Sequence, residues 1–265
     1  MVHIEAPARI QSLFRYPIKG LNGEVLQSAH VEAGGGLPLD RTYAIAHGVT
    51  QFDPQAPVYL QKIHFLALMT HPRLAELHVS FRESDHEIRV ARRDVPEFVT
   101  SLTTEQGRAE FATYLDEFIG SEAKGRPRVV AAHNHMFTDI RDRCLSVQNL
   151  ASIAALGAQA GLKLDPLRFR ANVYLTGLAP WVERTWEKGA VFSLGEVRLR
   201  VLKPISRCNA INVDLDTARI DSNLPLLLRE RFEGNYMGVY AQVIDGGTVH
   251  EEAVVTVPTP GESIA

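Results

Sequence analysis

The run Val197-Arg198-Leu199-Arg200-Val201-Leu202-Lys203 alternates apolar and charged side chains almost residue by residue. Period two suits a strand with one face in a core and the other in water. Further short runs at strand length recur along the chain: Ile10 to Tyr16, Val25 to Val31, Thr42 to His47, Leu74 to Phe81, Glu87 to Val90, Arg128 to Ala132, Cys144 to Gln148, Ala171 to Leu175, Val191 to Leu194, Val239 to Ile244 and Val254 to Val257. Turn clusters, not regular crossover helices, separate them, which favours antiparallel barrels over a doubly wound parallel sheet. Three helices are expected: Glu105 to Ile119, with Thr103 and Gln106 as a capping box; Asn149 to Ala160, ended by Gly161; and Ser222 to Phe232. The fold class is mainly β with α.

At 265 residues the chain has room for one large domain or two ordinary ones. The polar stretch Gly120-Ser121-Glu122-Ala123-Lys124-Gly125-Arg126-Pro127 is the most linker-like segment, so domains are expected over 1–120 and 128–258, with a disordered tail over 259–265. A formal charge of -3 argues against an electrostatic grip on nucleic acid or anionic lipid. Met1-Val2-His3-Ile4-Glu5 has no secretory character, and no stretch reaches the ~18 apolar residues of a membrane helix, so a cytoplasmic protein is expected. Cys144 and Cys208 cannot supply the four thiolates of an ordinary iron–sulfur cluster. Electrons for any redox chemistry must come from outside.

Cys208 stands just past the alternating strand, beside Arg207 and before a polar loop. A neighbouring cation favours the thiolate, and a thiolate binds soft metals; the competing reading is a buried cysteine acting as a small apolar residue. Gly34-Gly35-Gly36 lacks the Gly-Lys-Ser/Thr of a phosphate loop and reads as a turn. His133 and His135 alternate without an evident third ligand, and the spacing of His64, His71 and His78 is broken by Pro72.

Several segments in order carry a resemblance: Tyr16-Pro17-Ile18-Lys19-Gly20; Gly36-Leu37-Pro38-Leu39-Asp40-Arg41-Thr42-Tyr43; Leu145 to Ser152; Arg168-Phe169-Arg170-Ala171-Asn172-Val173; Trp181 to Trp186; and the Cys208 run on to Asp214 and Asp221-Ser222-Asn223. Together they resemble the MOSC superfamily, named for the C-terminal domain of molybdenum cofactor sulfurase, preceded by its N-terminal β-barrel domain. The motifs are most similar to mitochondrial amidoxime-reducing components and their bacterial relatives.

The resemblance implies a molybdenum–molybdopterin cofactor between a MOSC β-barrel domain and a smaller N-terminal β-barrel-like domain. It implies Cys208 as the metal ligand, Lys19, Arg41 and Arg170 as clamps on the cofactor phosphate, and Gly20, Ser146, Asn149, Asn172, Ser206 and Arg207 as further cofactor contacts. Gly20 stands where many relatives have serine, leaving a backbone N–H to serve. Asn212 and Asp214 are expected near the metal, where they orient substrate or move protons; the alternative is a turn held by Asx hydrogen bonds. A plain helix cap is the alternative for Asn149, a solvated lysine for Lys19, and a surface ion pair with Asp40 for Arg41; Glu183 and Trp186 read first as an ordinary amphipathic flap, with a place at the substrate entrance as the alternative. The implied activity is reduction of N-hydroxylated small molecules with electrons from a separate flavin or iron–sulfur protein. Sulfur carriage on a Cys208 persulfide and non-catalytic pterin binding are the other readings. Pyridoxal phosphate attaches to this superfamily through the sulfurase's aminotransferase part, which is not expected here.

Overall fold

A computed structural model describes residues 7–258; the expected tail lies outside them. The first half contains β1 (Arg9–Arg15), β2 (Ile18–Lys19), β3 (Glu24–Leu26), β4 (Ser28–Val31), β5 (Tyr43–Ala46), β6 (His78–Arg82), β7 (Glu87–Arg92), β8 (Val95–Ser101) and α1 (Glu105–Ile119). There follow β9 (Arg128–Ala131), β10 (Leu145–Asn149), α2 (Leu150–Ala160), β11 (Val173–Thr176), β12 (Val191–Leu194), β13 (Val197–Ser206), α3 (Leu224–Arg231), β14 (Tyr236–Asp245), β15 (Gly247–His250) and β16 (Val255–Thr256). No helix among the described residues is long and apolar enough to cross a membrane.

The alternating run becomes the start of β13, with Val197, Leu199 and Val201 buried and Arg198 and Arg200 exposed. It lies in a sheet ordered β16-β12-β13-β14-β10-β11-β1-β3, antiparallel except for the β10 and β11 pair. Backbone bonds from Ile10 N–H to the Ala253 carbonyl (3.0 Å) and from Val255 N–H to the Ala8 carbonyl (2.8 Å) join β1 to the approach of β16 and close the sheet into a barrel. Closure removes the free edges between these strands. Ile10, Leu13, Val147, Val173, Phe192, Leu199, Val239 and Val243 are among the residues filling the interior.

A second core lies outside the barrel, between α1, the β6-β7-β8 sheet and the β2-β5-β9 sheet. Phe111, Leu115 and Phe118 on α1 face Ile88, Val90, Ile45 and Leu66 there. A third packs α2 and α3 around Phe169, Tyr174 and Ile211.

Strand pairing does not follow a division at 120–127. Strands β1 and β3 belong to the barrel sheet, β4 pairs with β15, and β9 pairs with β5 of the smaller unit. The polar stretch is a surface turn between α1 and β9, so its linker-like composition reflects exposure. Local differences have local causes. Val25 to Val31 is broken at Gln27 into β3 and β4, which pair in different sheets. Pro72 opens a 3-10 turn over Pro72–Glu76, so the expected strand from Leu74 starts only at His78. The cap of α1 is Thr104, whose hydroxyl accepts the Gly107 N–H (3.0 Å), one residue beyond the expected Thr103.

Candidate functional site

A cleft open to solvent lies where the barrel meets the smaller unit. It gathers Lys19, Gly20, Arg41, Ser146, Arg170, Asn172, Ser206, Arg207 and Cys208 from segments distant in sequence.

Lys19 ends β2 and is 6% exposed, so it is not a solvated turn lysine. Its Nζ donates to the Phe137 carbonyl (3.0 Å) and to Asp139 Oδ1 (2.5 Å). Desolvation lowers the Lys19 pKa, and the Asp139 carboxylate partly opposes it. Gly20 follows at φ +94, where a Cβ would come within 2.6 Å of the Leu66 carbonyl oxygen, so backbone geometry itself requires glycine.

Arg41 and Arg170 both adopt left-handed backbone, at φ 51 and 52. Such strain in non-glycine residues costs roughly 1–3 kcal/mol each and persists where surroundings fix it. The fixing contacts are here. Arg41 pairs with buried Asp40 and donates from Nη2 to the Arg170 carbonyl (3.0 Å), while Arg170 Nη1 donates to the Leu21 carbonyl (2.5 Å). Both guanidiniums lie over the Tyr16 ring, at 5.0 and 4.4 Å from its centroid. Arg41 is thus part of an interior ion pair, not a surface one.

Arg207 is 6% exposed. It donates from Nε to the Met237 carbonyl (2.8 Å), from Nη1 to the Phe169 carbonyl (2.9 Å), and from Nη2 to Gln148 Oε1 (2.5 Å) and Met237 again (2.6 Å). Gly238 permits this approach, since a Cβ there would lie 3.0 Å from Nη2 and 2.5 Å from the Val147 carbonyl oxygen. Desolvation lowers the pKa of both Arg170 and Arg207, and neither has a carboxylate partner among the described residues. A desolvated cation without a counter-ion costs several kcal/mol.

Cys208 opens the turn Asn209–Asn212 at the end of β13, half-buried. The competing reading of a cysteine sealed in the core therefore does not hold for Cys208. It describes Cys144 instead, whose thiol burial pushes up to about 12 although it also borders the cleft. Ser146 and Asn172 face the cleft but satisfy each other: the Asn172 Oδ1 accepts from Ser146 N–H (3.0 Å) and Oγ (2.8 Å). Ser206 Oγ lies 3.2 Å from Asn235 Oδ1.

Three expected residues do not line the cleft. Asn149 caps α2, accepting the Ala151 N–H (3.0 Å) and donating to the Ala179 carbonyl and Glu183. Asn212 Oδ1 accepts the Leu224 N–H (2.9 Å) at the start of α3. Asp214 accepts from Thr217 N–H and Oγ1 and pairs with Arg168 (2.6 Å), an Asx-type turn. Each accepts a backbone N–H, from Ala151 and Thr217 close by in sequence and from Leu224 twelve residues on. Glu183 and Trp186 are buried as well, at 2% and 5%, Trp186 inside the barrel. Among the described residues no group of three histidine, cysteine or acidic side chains is placed to hold a metal ion.

Sequence reasoning missed Arg168, Lys62, Asp139 and Tyr240, which line the same cleft. Arg168 is held by both Asp214 and Asp221, leaving Nε without a partner. Its place in Arg168-Phe169-Arg170 was the one available signal. Desolvation pushes the Tyr240 phenol up, so it remains an O–H donor.

Burial also raises the Glu183 pKa, against its bonds to Ser152 (2.8 Å) and Asn149 (3.1 Å). The folded chain thus keeps a proton that the unfolded chain releases, and stability falls as pH rises through the folded value. Glu183→Gln is expected to flatten this loss, which melting curves compared at about pH 5 and about pH 8 will measure.

The family described as MOSC domain matches residues 129–256, and that described as MOSC N-terminal beta barrel domain matches residues 7–140. Among solved structures, the chain is similar to YiiM from Geobacillus stearothermophilus at 19% identity and a TM-score of 0.35, covering 44% of this chain and 55% of that one. YiiM from Escherichia coli gives 20% and 0.34, over 46% of this chain and 57% of that one. The chain thus spans little more than half the length of these YiiM proteins. The YUAD protein from Bacillus subtilis gives 11% and 0.45, over 94% of both chains. No curated protein matches.

Proposed function

The chain belongs to the MOSC family, carrying both that domain and its N-terminal β-barrel domain, and on that premise we propose that its cleft holds a molybdopterin-bound molybdenum cofactor and that the protein reduces N-hydroxylated small molecules. One observation carries this reading: Arg170 and Arg207, desolvated and lacking carboxylate partners, share the cleft with the half-buried thiol of Cys208. The cations call for an anion, and the thiol suits a soft metal. A ligand with a phosphate at one end and molybdenum at the other meets both demands.

Cys208 Sγ is the protein ligand to the metal. Lys19, Arg41 and Arg170 bind the phosphate, aided by the Gly20 N–H. Arg207 and Ser206 flank Cys208. Leu68, Met69, Phe169 and Ile211 supply an apolar wall that limits water, and Tyr240 supplies an O–H donor at the cleft. When bound, the cofactor supplies two-electron oxygen-transfer chemistry at molybdenum. Electrons come from a separate flavin or iron–sulfur protein.

Protein made in a cofactor-competent host is expected to carry molybdenum and pterin in equal amounts, measured by elemental analysis and pterin fluorescence. Arg170→Met should weaken retention by roughly 30-fold or more, since losing one desolvated charge contact costs about 2–5 kcal/mol. Wild-type protein free of both in that host overturns the reading. A sulfur atom gained at Cys208 from a cysteine desulfurase, without molybdenum, assigns it to sulfur carriage instead.

A further inference from the structure

Resting on the reading of the cleft as a cofactor site, we propose that Asp139 makes its anion end selective for a phosphate that can still carry a proton, as a terminal monoester can, over an anion that cannot, such as a phosphodiester or sulfate. Asp139 is the single carboxylate lining the cleft among the described residues. It sits inside the cationic cluster: Oδ1 accepts from Lys19 Nζ at 2.5 Å, and Oδ2 lies 3.9 Å from Lys62 Nζ. Its side chain is 38% exposed, whereas that of Lys19 is 8% exposed, so the carboxylate is the more accessible member of the pair to a ligand in the cleft.

Desolvation pushes the Asp139 carboxyl up, but Lys19, Lys62 and Arg41 override it and hold the group down at about 2. Near neutral pH it is therefore an acceptor only. A phosphodiester or sulfate also offers only acceptors, and the two anions would meet without a proton between them. A phosphate monoester, whose second ionisation falls at about pH 6, can present a P–OH group that donates to Asp139 while its other oxygens accept from Lys19, Arg41 and Arg170. The carboxylate thus excludes a ligand extended through its phosphate and admits one that ends there. Asp40, the other acid close to these cations, is taken by Arg41 and the Tyr16 N–H and is not free for this role.

Inorganic phosphate and sulfate have the same shape and differ in the proton, so titration calorimetry of the cofactor-free full chain at about pH 6 separates the cases. Wild-type protein is expected to bind phosphate about 10- to 100-fold more tightly than sulfate, the range for a hydrogen bond to a charged group. Asp139→Asn should narrow that ratio to less than about threefold, mainly by gaining sulfate affinity, and Asp139→Glu should keep it. Equal binding of both ions by the wild type, or an unchanged ratio in Asp139→Asn, overturns the proposal. Arg170→Met losing both ions alike would uphold the anion site even then; a wild type that binds neither ion overturns both readings.

Discussion

Cys208→Ala is expected to reduce turnover of N-hydroxylated substrates by more than about 100-fold, since even outer-shell changes around a metal cost 10–100-fold. Molybdenum retention should fall with it. Folding should hardly respond, because Cys208 is half-buried at a turn whose backbone bond, from the Ile211 N–H to the Cys208 carbonyl (3.2 Å), does not involve the thiol. A change under about 1 kcal/mol is expected on denaturant unfolding. Assays with an artificial reductant, run beside metal analysis, check the first two points. A variant that keeps both metal and turnover removes Cys208 from the chemistry.

Asp40→Ala carries the largest expected loss of stability, about 3–5 kcal/mol, the range for breaking an interior ion pair by deleting one partner. Its side chain is 1% exposed and that of Arg41 is 14% exposed. Oδ1 accepts the Tyr16 N–H at 2.8 Å, and Oδ2 binds Arg41. Deletion strands a backbone donor and a guanidinium together, and frees the strained Arg41 backbone to relax away from the cleft. Urea unfolding measures the loss. Asp40→Asn, which keeps an acceptor for Tyr16, is expected to fall between the two. A loss below about 1 kcal/mol for the alanine variant would mean that solvent already screens the pair.

Regular segments were legible in the sequence because local physics determines them. The Val197 alternation, the Val191–Leu194 strand and the Glu105–Ile119 helix stand where periodicity puts them. Strand β8 was hidden by Pro96, which an edge strand tolerates in the three-stranded β6-β7-β8 sheet. The cleft divides similarly. Lys19, Arg41, Arg170 and Cys208 lie in motifs whose resemblance named them, and the fold brings them together. Asp139 comes from an irregular segment and Lys62 from a three-residue 3-10 turn, neither with a period to read, and both reach the cleft through tertiary packing alone. Asn149, Asn212 and Asp214 stand outside the cleft lining, each side chain accepting a backbone N–H, from Ala151, Leu224 and Thr217 in turn.

The seam of the barrel joins residues 243 positions apart, where the Arg9 side chain reaches the Glu252 carbonyl beside the Ile10 and Ala253 backbone bond. During translation β1 therefore leaves the ribosome early, with its apolar face uncovered until nearly all of the described chain has been made. Chaperones have most to shelter in that interval. Separate expression of two halves cut near residue 125 is expected to give aggregates, because each piece holds strands that complete the other.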